Sequence, residues 1–326
     1  MNSSQNWNAF LSAYPDAHIL QSSAWGTLKA CYGWESVSIV KHDIGAQILF
    51  KKLPLGFHVA YIPKGPVGSG DWNVIWPEID QVCKSKRTIF LSVEPDLLNN
   101  EHDKIKDFFS GFEYKNTSVQ PRSTMLLDLR GDQESWLKNL KQKTRYNIRL
   151  AIKKGIEISE SHDIDAFTRL MKVTGERDQF GVHVSSYYEK AFELFQEGQN
   201  CALLLAKYGD KVLAGLMVFR RGNRAWYLFG GSSNEERNRM PTYLLQWEAM
   251  RWAARQGCGF YDLWGVPDQS KDVLEEQFKN RSDGLWSVYR FKRGFNGEIV
   301  RFAGTWVRVY MPLIYKLYEL WESMRI

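Results

Sequence analysis

The 326-residue sequence has no long hydrophobic run and few cysteines. Its longest apolar run, about Cys201 to Ala206, is far shorter than the roughly 18 residues of a transmembrane helix. The segment Met1 to Phe10 has no basic stretch followed by an apolar one, so we expect no signal peptide. The cysteines lack CxxC spacing, which predicts buried, reduced thiols in a cytoplasmic protein: Cys31, Cys83, Cys201 and Cys258. Zinc-finger spacing and HExxH motifs are missing as well, so we expect no metal site and no cofactor.

A strong excess of one charge is also missing from the composition. The chain has 43 basic and 37 acidic residues, a net charge of +6, which excludes a histone-like polycation. Hydrophobic residues make up 44% of the chain, enough to build a core, so general disorder is excluded. The length indicates one large or two ordinary domains.

The positive charge is concentrated in one segment, Lys138 to Lys154, which has seven basic residues and no acidic one. Its spacing predicts a single helix that ends at Gly155. One stripe of that helix is apolar and would be buried: Leu137, Leu140, Thr144, Ile148 and Ala151. The stripe beside it is basic: Lys138, Lys141, Arg145 and Arg149. Because no acidic residue is available for pairing within the helix, the stripe favours an anion, which is a phosphate, a nucleic acid or a lipid headgroup; the alternative is a solvated surface helix.

The two halves of the chain repeat one order of predicted elements. The first half has strands at 46–51 and 58–62, a helix at about 72–84 and a strand at 88–93. The second half has strands at 212–220 and 224–229, a helix at about 241–256 and a strand at 260–264. A crossover helix of this length joins parallel strands, so we expect two copies of one unit, each a mixed sheet flanked by helices.

The predicted domains are 1–120 and 121–304, with a C-terminal helix in 305–326 that packs on the first domain. Four apolar residues of this helix recur at steps of three and four: Leu313, Leu317, Leu320 and Trp321. We expect them to pack in the core; the alternative is a contact with a membrane edge.

Each repeated unit resembles the core of the GNAT acyltransferase fold. In that fold the strand before the crossover helix splays from its neighbour and opens a cleft. The resemblance implies an α/β (α+β) protein of two tandem GNAT-like domains. The Q/R-x-x-G-x-G/A loop that binds the CoA pyrophosphate in ordinary members is missing at 234–241 and at 67–72, so CoA is not the expected donor.

Eight sequence blocks follow one another along nearly the whole chain. They are Gln21–Trp25 with Lys29 and Gly33–Glu35, Ala60–Val67, Met125–Leu129, Trp136–Gly155, Thr174–Phe180, Trp226–Ser232, Tyr261–Gly265 and Arg290–Phe295. In this order they resemble the FemABX family of peptidoglycan bridge-forming aminoacyltransferases. The chain is too short for the long helical arm of some members, so it resembles the compact, arm-less type.

The resemblance implies transfer of an amino acid from aminoacyl-tRNA to an amino group of a peptidoglycan stem peptide. The acceptor would be a UDP-linked or lipid-linked muropeptide. We expect a monomer in the cytoplasm, with peripheral contact at the inner face of the membrane. Two alternatives are a CoA-dependent GNAT-type N-acyltransferase and a non-catalytic module that binds RNA or the cell envelope.

The resemblance also assigns residues on the donor side. Lys292 would stabilise the oxyanion of aminolysis, and Phe291 would stack on the terminal adenine of the tRNA. The alternative for Lys292 is a strand lysine that faces solvent. Arg290 and Arg293 would contact phosphates. Further tRNA contacts are expected from the basic stripe, through Lys141, Arg145 and Arg149.

On the acceptor side, Lys29 matches a lysine that contacts the diphosphate. His183 stands where the family has an arginine, so the second diphosphate contact differs here. Tyr187 keeps a family tyrosine, whereas Phe229 replaces one and loses its hydroxyl.

Two acceptor residues are expected in the first domain. Glu94 replaces a family aspartate at the end of a strand, and we expect it to orient substrate or structure more than to accept a proton. Tyr61 lies in the Ala60–Val67 block and is expected to line a cleft.

Overall fold

The protein is described by a computed structural model over residues 3–99 and 102–323. Its helices are α1 (Ser3–Ser12), α2 (Ser23–Cys31), α3 (Trp76–Ser85), α4 (His102–Phe108), α5 (Gln133–Asn139), α6 (Gln142–Lys153), α7 (Ile164–Asp178), α8 (Ser185–Gln196), α9 (Pro241–Arg255), α10 (Lys271–Gln277), α11 (Trp286–Lys292) and α12 (Pro312–Ser323). Its strands are β1 (Trp34–Lys41), β2 (Ile44–Lys52), β3 (His58–Pro63), β4 (Thr88–Glu94), β5 (Glu113–Lys115), β6 (Ser123–Asp128), β7 (Glu157–Ser161), β8 (Cys201–Tyr208), β9 (Lys211–Arg221), β10 (Arg224–Ser232), β11 (Phe260–Val266), β12 (Glu298–Arg301) and β13 (Thr305–Val309).

The first unit comprises residues 1–122 and 301–326 and contains a sheet in the order β1-β2-β3-β4-β13-β5. The predicted parallel pairing across the crossover is confirmed, because β3 and β4 run parallel. Helix α3 places Trp76, Ile79 and Cys83 on one face, at the helical spacing that favours burial. These side chains form the core with alternate residues of β2, including Ile48 and Phe50.

The second unit, residues 123–300, contains a sheet in the order β12-β6-β11-β10-β9-β8-β7. Strands β10 and β11 run parallel, as predicted for the second copy of the unit. Alternate residues of β9 point to opposite faces. Leu216 joins the cluster that contains Ala249 of α9, whereas Gly215 lies against Phe167 and Leu170 of α7. Helices therefore cover both faces of this sheet.

The prediction of a single helix from Lys138 to Lys154 is wrong. The backbone is extended at Leu140 and Lys141, with ψ of 149° and 147°, so the segment forms the end of α5 and then α6. At this break a hydrogen bond to a distant group takes the place of a helical hydrogen bond. The Lys141 N–H donates to the Gly294 carbonyl at 3.0 Å. The Arg145 guanidinium also donates to the carbonyl oxygens of Lys138, at 3.0 Å, and Leu140, and so satisfies the end of α5.

The prediction of a helix over 305–326 is wrong at its start, because Thr305–Val309 forms β13 between β4 and β5. The helix itself is α12, and residues 324–326 lie outside the described residues. The predicted core packing of its four apolar residues is also wrong. Their exposed fractions are 80% for Leu313, 65% for Leu317, 61% for Leu320 and 43% for Trp321. Tyr315, on another face of the helix, packs in the core instead.

The cysteines and the helix lengths bear on two further expectations. Cys83, Cys201 and Cys258 are free and buried, but Cys31 is exposed at the end of α2, which contradicts the prediction for that residue. Within residues 3–99 and 102–323, every helix is too short or too polar to cross a membrane.

Candidate functional site

Strands β10 and β11 separate in the second unit after a short parallel pairing. They pair only from Arg224 to Trp226 on β10 and from Phe260 to Asp262 on β11. Beyond this point β10 continues along β9, and β11 continues along β6. The register of each outer pairing shifts just after the separation, and Trp264 adopts a positive φ of 65°. The two strands therefore diverge at their carboxyl ends.

Lys292, the last residue of α11, lies at this divergence. Its side chain is 4% exposed, and Nζ donates to the Gly265 carbonyl at 2.7 Å. Nζ is also 5.9 Å from the centre of the Tyr227 ring. Burial lowers the pKa of Lys292 to about 7, although the negative charge of Asp262 opposes this shift. The alternative of a strand lysine facing solvent is therefore wrong, because Lys292 is buried at the end of a helix.

Sequence reasoning assigned no role to the groups around Lys292. The buried Asp262 carboxylate accepts hydrogen bonds from the Thr124 hydroxyl and from the Trp264 N–H at 2.7 Å. Burial raises the pKa of Tyr227 to about 12, which keeps this phenol neutral beside the lysine. The available signal was a single acidic residue within the otherwise apolar strand Phe260–Trp264.

The neighbours of Lys292 on the chain contact other parts of the second unit. Phe291 is half-buried, and its ring centre lies 5.0 Å from that of Tyr243. Arg290 donates to the carbonyl oxygens of Phe278 and Lys279 at 3.0 and 2.7 Å. These contacts hold the start of the Arg290–Phe295 block against the unit.

Glu275 pairs with two residues that were expected to contact tRNA. Its carboxylate accepts from Arg293 Nε at 2.6 Å and lies 3.4 Å from Lys141 Nζ. The hydrogen bond from Arg293 holds the pKa of this carboxyl below its usual range. Lys141 and Arg293 thus have an acidic partner that is distant in sequence.

Helix α6 exposes a different set of basic residues from the predicted stripe. We define its exposed basic face by Lys143, Tyr146, Arg149 and Lys153, all of which are exposed. Arg149 belongs to both sets, whereas Arg145 is half-buried and Lys141 is paired. The side chain of Tyr146 adds an exposed aromatic ring between the cations.

The first unit has a cavity of about 400 Å³ on one face of its sheet. Its lining contains the predicted acceptor residues Lys29, Tyr61 and Glu94 and also Trp25 of the Gln21–Trp25 block. Lys115 and Tyr315, which the sequence did not indicate, complete this group. Lys29 Nζ lies 4.9 Å from the centre of the Trp25 ring. Burial and the nearby charge of Lys51 lower the pKa of Lys29.

The buried Glu94 carboxylate of this cavity accepts four hydrogen bonds. It accepts from the Tyr61 hydroxyl at 2.7 Å and the Thr305 hydroxyl at 3.2 Å. It also accepts from the N–H groups of Val119 and Gln120 at 2.5 and 2.9 Å. Burial raises the pKa of Tyr61 well above its usual value, so the phenol keeps its proton. The carboxylate therefore fixes the loop that forms one wall of the cavity.

Lys115 brings a second cation to the same cavity. Its Nζ lies 3.1 Å from Glu319 of α12. Although burial acts to lower its pKa, the hydrogen bond to Glu319 raises the pKa of Lys115 to about 12. Lys115 therefore remains charged at neutral pH.

The other predicted acceptor residues form an aromatic cluster in the second unit. The rings of His183 and Tyr187 stack with centres 3.8 Å apart and an angle of 15°. Both meet Phe229 edge-on, at 6.0 and 6.1 Å. The six predicted acceptor residues thus form two groups, one in each unit.

In the segment before α9, at the position of a CoA pyrophosphate loop, three backbone N–H groups are bonded to carbonyl oxygens of the protein. The Ser233 N–H donates to Leu213, the Arg239 N–H to Glu236 and the Met240 N–H to Arg237, at 2.8, 2.8 and 3.1 Å. A phosphate site needs such N–H groups to point at the ligand. The described residues also contain no group of three metal-ligating side chains.

The profile of the FemAB family matches residues 3–115, 107–211 and 199–323. The chain belongs to the FemAB family. One relative of this FemAB-family chain is the lipid II:glycine glycyltransferase of Staphylococcus epidermidis strain ATCC 35984, with 25% identity over 399 residues, covering 97% of the chain and 93% of the relative. The enzyme of the same name from Staphylococcus aureus strain COL is 25% identical over 405 residues, with the same coverage. These matches make the FemAB-family chain an aminoacyltransferase.

Solved structures confirm the predicted fold. The crystal structure of FemX is similar with a TM-score of 0.85 and 22% identity, over 97% of this chain and 98% of FemX. A tandem GNAT protein from the clavulanic acid biosynthesis pathway has a TM-score of 0.53 and 10% identity, over 94% of each chain. Two tandem GNAT-like units are therefore confirmed for this FemAB-family member. Its longest described helices, α7 and α9, have 15 residues, as expected for the compact type.

Proposed function

We propose that the chain transfers an amino acid from aminoacyl-tRNA to an amino group on the stem peptide of a lipid-linked peptidoglycan precursor. The observation that carries the proposal is the buried Lys292, held at the divergence of β10 and β11 with a pKa of about 7. The choice of a lipid-linked acceptor is supported by the names of the relatives, which are lipid II:glycine glycyltransferases.

The proposed chemistry is aminolysis of an activated ester. The acceptor amine attacks the ester carbonyl carbon, the bond to the ribose oxygen breaks, and the tRNA leaves with a free hydroxyl that takes up the proton lost by the amine. Because the ester is already activated, no covalent enzyme intermediate is needed. Protonated Lys292 would stabilise the oxyanion that forms, and in this buried setting its charge acts strongly.

On the donor side, the exposed basic face of α6 is the surface that supports RNA binding. Its cations suit phosphates, and the Tyr146 ring suits a base or a ribose. Phe291 would offer its remaining exposed surface to the terminal adenine. Arg145, which caps α5, and Lys141 and Arg293, which pair with Glu275, have smaller roles in this proposal.

On the acceptor side, the cavity of the first unit supports binding of the precursor. Lys29 and Lys115 provide positive charge for phosphates or carboxylates, and Trp25 and Tyr61 provide apolar walls. Glu94 would act by holding the wall of the cavity rather than by accepting a proton. His183, beside Tyr187 and Phe229, would contact a further part of the acceptor.

The test is to incubate the protein with a mixture of charged tRNAs and either lipid-linked or UDP-linked muropeptide, and to identify products by mass. We expect one aminoacyl addition, lost in Lys292→Met and kept in Lys279→Met, a control at an exposed lysine of the same unit. Product formation from acetyl-CoA instead of charged tRNA would overturn the proposal that aminoacyl-tRNA is the donor. RNA binding without any product would indicate a non-catalytic module.

A further inference from the structure

One face of α12 is apolar and open to solvent. We call Leu313, Leu317, Leu320 and Trp321 the outer face of α12. Their spacing places them on one side of the helix, and each is more than two-fifths exposed. Lys316 is exposed on the same side. A row of large apolar side chains at this exposure is unusual for a surface helix and indicates an interaction surface.

The helix is held firmly, so the exposure of this face is part of the fold. On its inner side, Tyr315 packs with Ile89 and Val307 in a small core cluster. The Tyr318 ring lies 5.2 Å from that of Phe90, and Glu319 pairs with Lys115. Tyr315, Tyr318 and Glu319 also line the cavity of the first unit. One side of α12 therefore forms the cavity wall while the other presents leucines and a tryptophan.

A further exposed apolar residue lies in a turn that packs on the same core cluster as Tyr315. Leu55 is 84% exposed at the tip of the turn between β2 and β3, with a φ of 61°. On either side of it, Leu53 and Phe57 pack in the cluster that contains Ile314 of α12. This arrangement ties the turn to the helix.

A cation accompanies this turn as well. Arg87 is exposed, donates to the Leu55 carbonyl at 3.3 Å and lies 4.6 Å from the centre of the Phe57 ring. The turn and the outer face of α12 thus each combine apolar side chains with a basic one, Arg87 or Lys316.

We propose that the outer face of α12 and the Leu55 turn bind the surface of an anionic lipid bilayer. An amphipathic helix with leucines, a tryptophan and a basic residue on its exposed side inserts shallowly at the headgroup boundary. The nearby cations are attracted electrostatically to anionic lipids. They would not gain the same attraction from a second copy of this chain. The inference rests on the proposed function, because a lipid-linked acceptor would then reach the cavity from the bilayer side of α12.

The first experiment measures co-sedimentation of the full chain with vesicles of phosphatidylglycerol and phosphatidylethanolamine. We expect binding, and a loss of at least about tenfold in the partition coefficient for Leu317→Gln combined with Leu320→Gln. The matched control is Ile152→Gln, because Ile152 is 59% exposed in the second unit. All three positions are exposed, so unchanged circular dichroism is expected to confirm folding of each variant.

The charge component has its own comparison. Lys316→Gln is expected to weaken vesicle binding about fivefold, whereas Lys153→Gln, at an exposed lysine of α6, leaves it unchanged. Vesicles of phosphatidylcholine alone are expected to bind more weakly than anionic ones. Equal binding to both vesicle types would overturn the anionic part of the proposal.

Two outcomes would overturn the proposal that this surface binds a bilayer. One is vesicle binding that is the same in the double leucine variant as in the unchanged protein, or that is missing in both. The other is a dimer that the double variant dissociates while no vesicle binding occurs, which would assign the outer face of α12 to a second copy.

A separate arm distinguishes this surface from the proposed function. The double variant is expected to keep transfer to a UDP-linked muropeptide in solution and to lose most transfer to a lipid-linked acceptor in vesicles. If the unchanged protein transfers to neither acceptor yet binds vesicles, the proposed function fails and the surface stands.

Discussion

Lys292 donates a hydrogen bond to the Gly265 carbonyl, 2.7 Å away, at the point where β10 and β11 separate. The lysine comes from the end of α11, and the carbonyl comes from β11 just beyond its register shift. The carbonyl anchors the amine in one position, and burial holds the amine near the balance between its charged and neutral forms.

The first prediction concerns the rate and its dependence on pH. Lys292→Met is expected to lower kcat by about 10² to 10³ with little change in KM, since an oxyanion contact acts only in the transition state. Because the pKa of Lys292 is about 7, its protonated fraction falls as pH rises above that value. The ratio of the rate of the unchanged protein to that of Lys292→Met should therefore fall by about tenfold for each pH unit above neutrality. Single-turnover rates measured from about pH 6 to about pH 9 check this, and a constant ratio would contradict it.

The second prediction concerns stability. The pKa of Lys292 falls from 10.5 to about 7 on folding, so between these values the unfolded chain binds more protons than the folded one. The free energy of unfolding should therefore rise with pH across this window, by up to about 1.4 kcal/mol per unit from this group. Below pH 7 the cost of burying the charge is fully present. Urea unfolding of the unchanged protein and of Lys292→Met at several pH values isolates the contribution of Lys292 to this pH dependence. The two proteins should show the same pH dependence if Lys292 were solvated.

The repeated strand and helix order was predictable because each unit folds through local signals. Apolar periodicity and turn residues such as Gly222 and Asn223 define the elements, and the crossover helix dictates parallel pairing. The break at Leu140 was not predictable, since it depends on Arg145 and on a backbone bond to Gly294, over 150 residues away in sequence. Periodicity also located the apolar stripe of α12, but it cannot tell which face of a helix will be covered.

For the candidate site, the resemblance named positions to inspect but could not describe their environment. The resemblance selected Lys292 by its block, yet its burial depends on the divergence of β10 and β11. Glu275, which pairs with Lys141 and Arg293, carries no sequence signal, because an acidic residue on a polar helix is ordinary. Long-range pairings of this kind decide which cations remain available for a substrate.

The third prediction concerns the wall of the first-unit cavity. Glu94→Gln replaces a carboxylate that accepts four hydrogen bonds by an amide. The NH₂ group of this amide cannot accept a hydrogen bond from the donors that it would face. We expect a loss of about 1–3 kcal/mol in the free energy of unfolding. The KM for the acceptor should rise while tRNA binding stays unchanged.

Two variants complete that comparison. Tyr61→Phe removes only one of the four bonds and should cost about 1 kcal/mol. Glu193→Gln, at a carboxylate that is 64% exposed in the second unit, should change neither property. A Glu94→Gln protein of normal stability with a lost acid limb in its rate profile would instead indicate a proton acceptor.

The fourth prediction separates the exposed basic face of α6 from the cations that the fold uses. Combined Lys143→Gln, Arg149→Gln and Lys153→Gln should flatten the slope of log Kd against log salt by about two units, the loss of roughly three phosphate contacts. Arg145→Gln should leave that slope unchanged and lower stability by about 1 kcal/mol, because this side chain satisfies the carbonyl end of α5. Filter binding over a salt series, with thermal unfolding of each variant, checks both effects. The reverse result, a flatter slope for Arg145→Gln alone, would place the RNA along the predicted stripe instead.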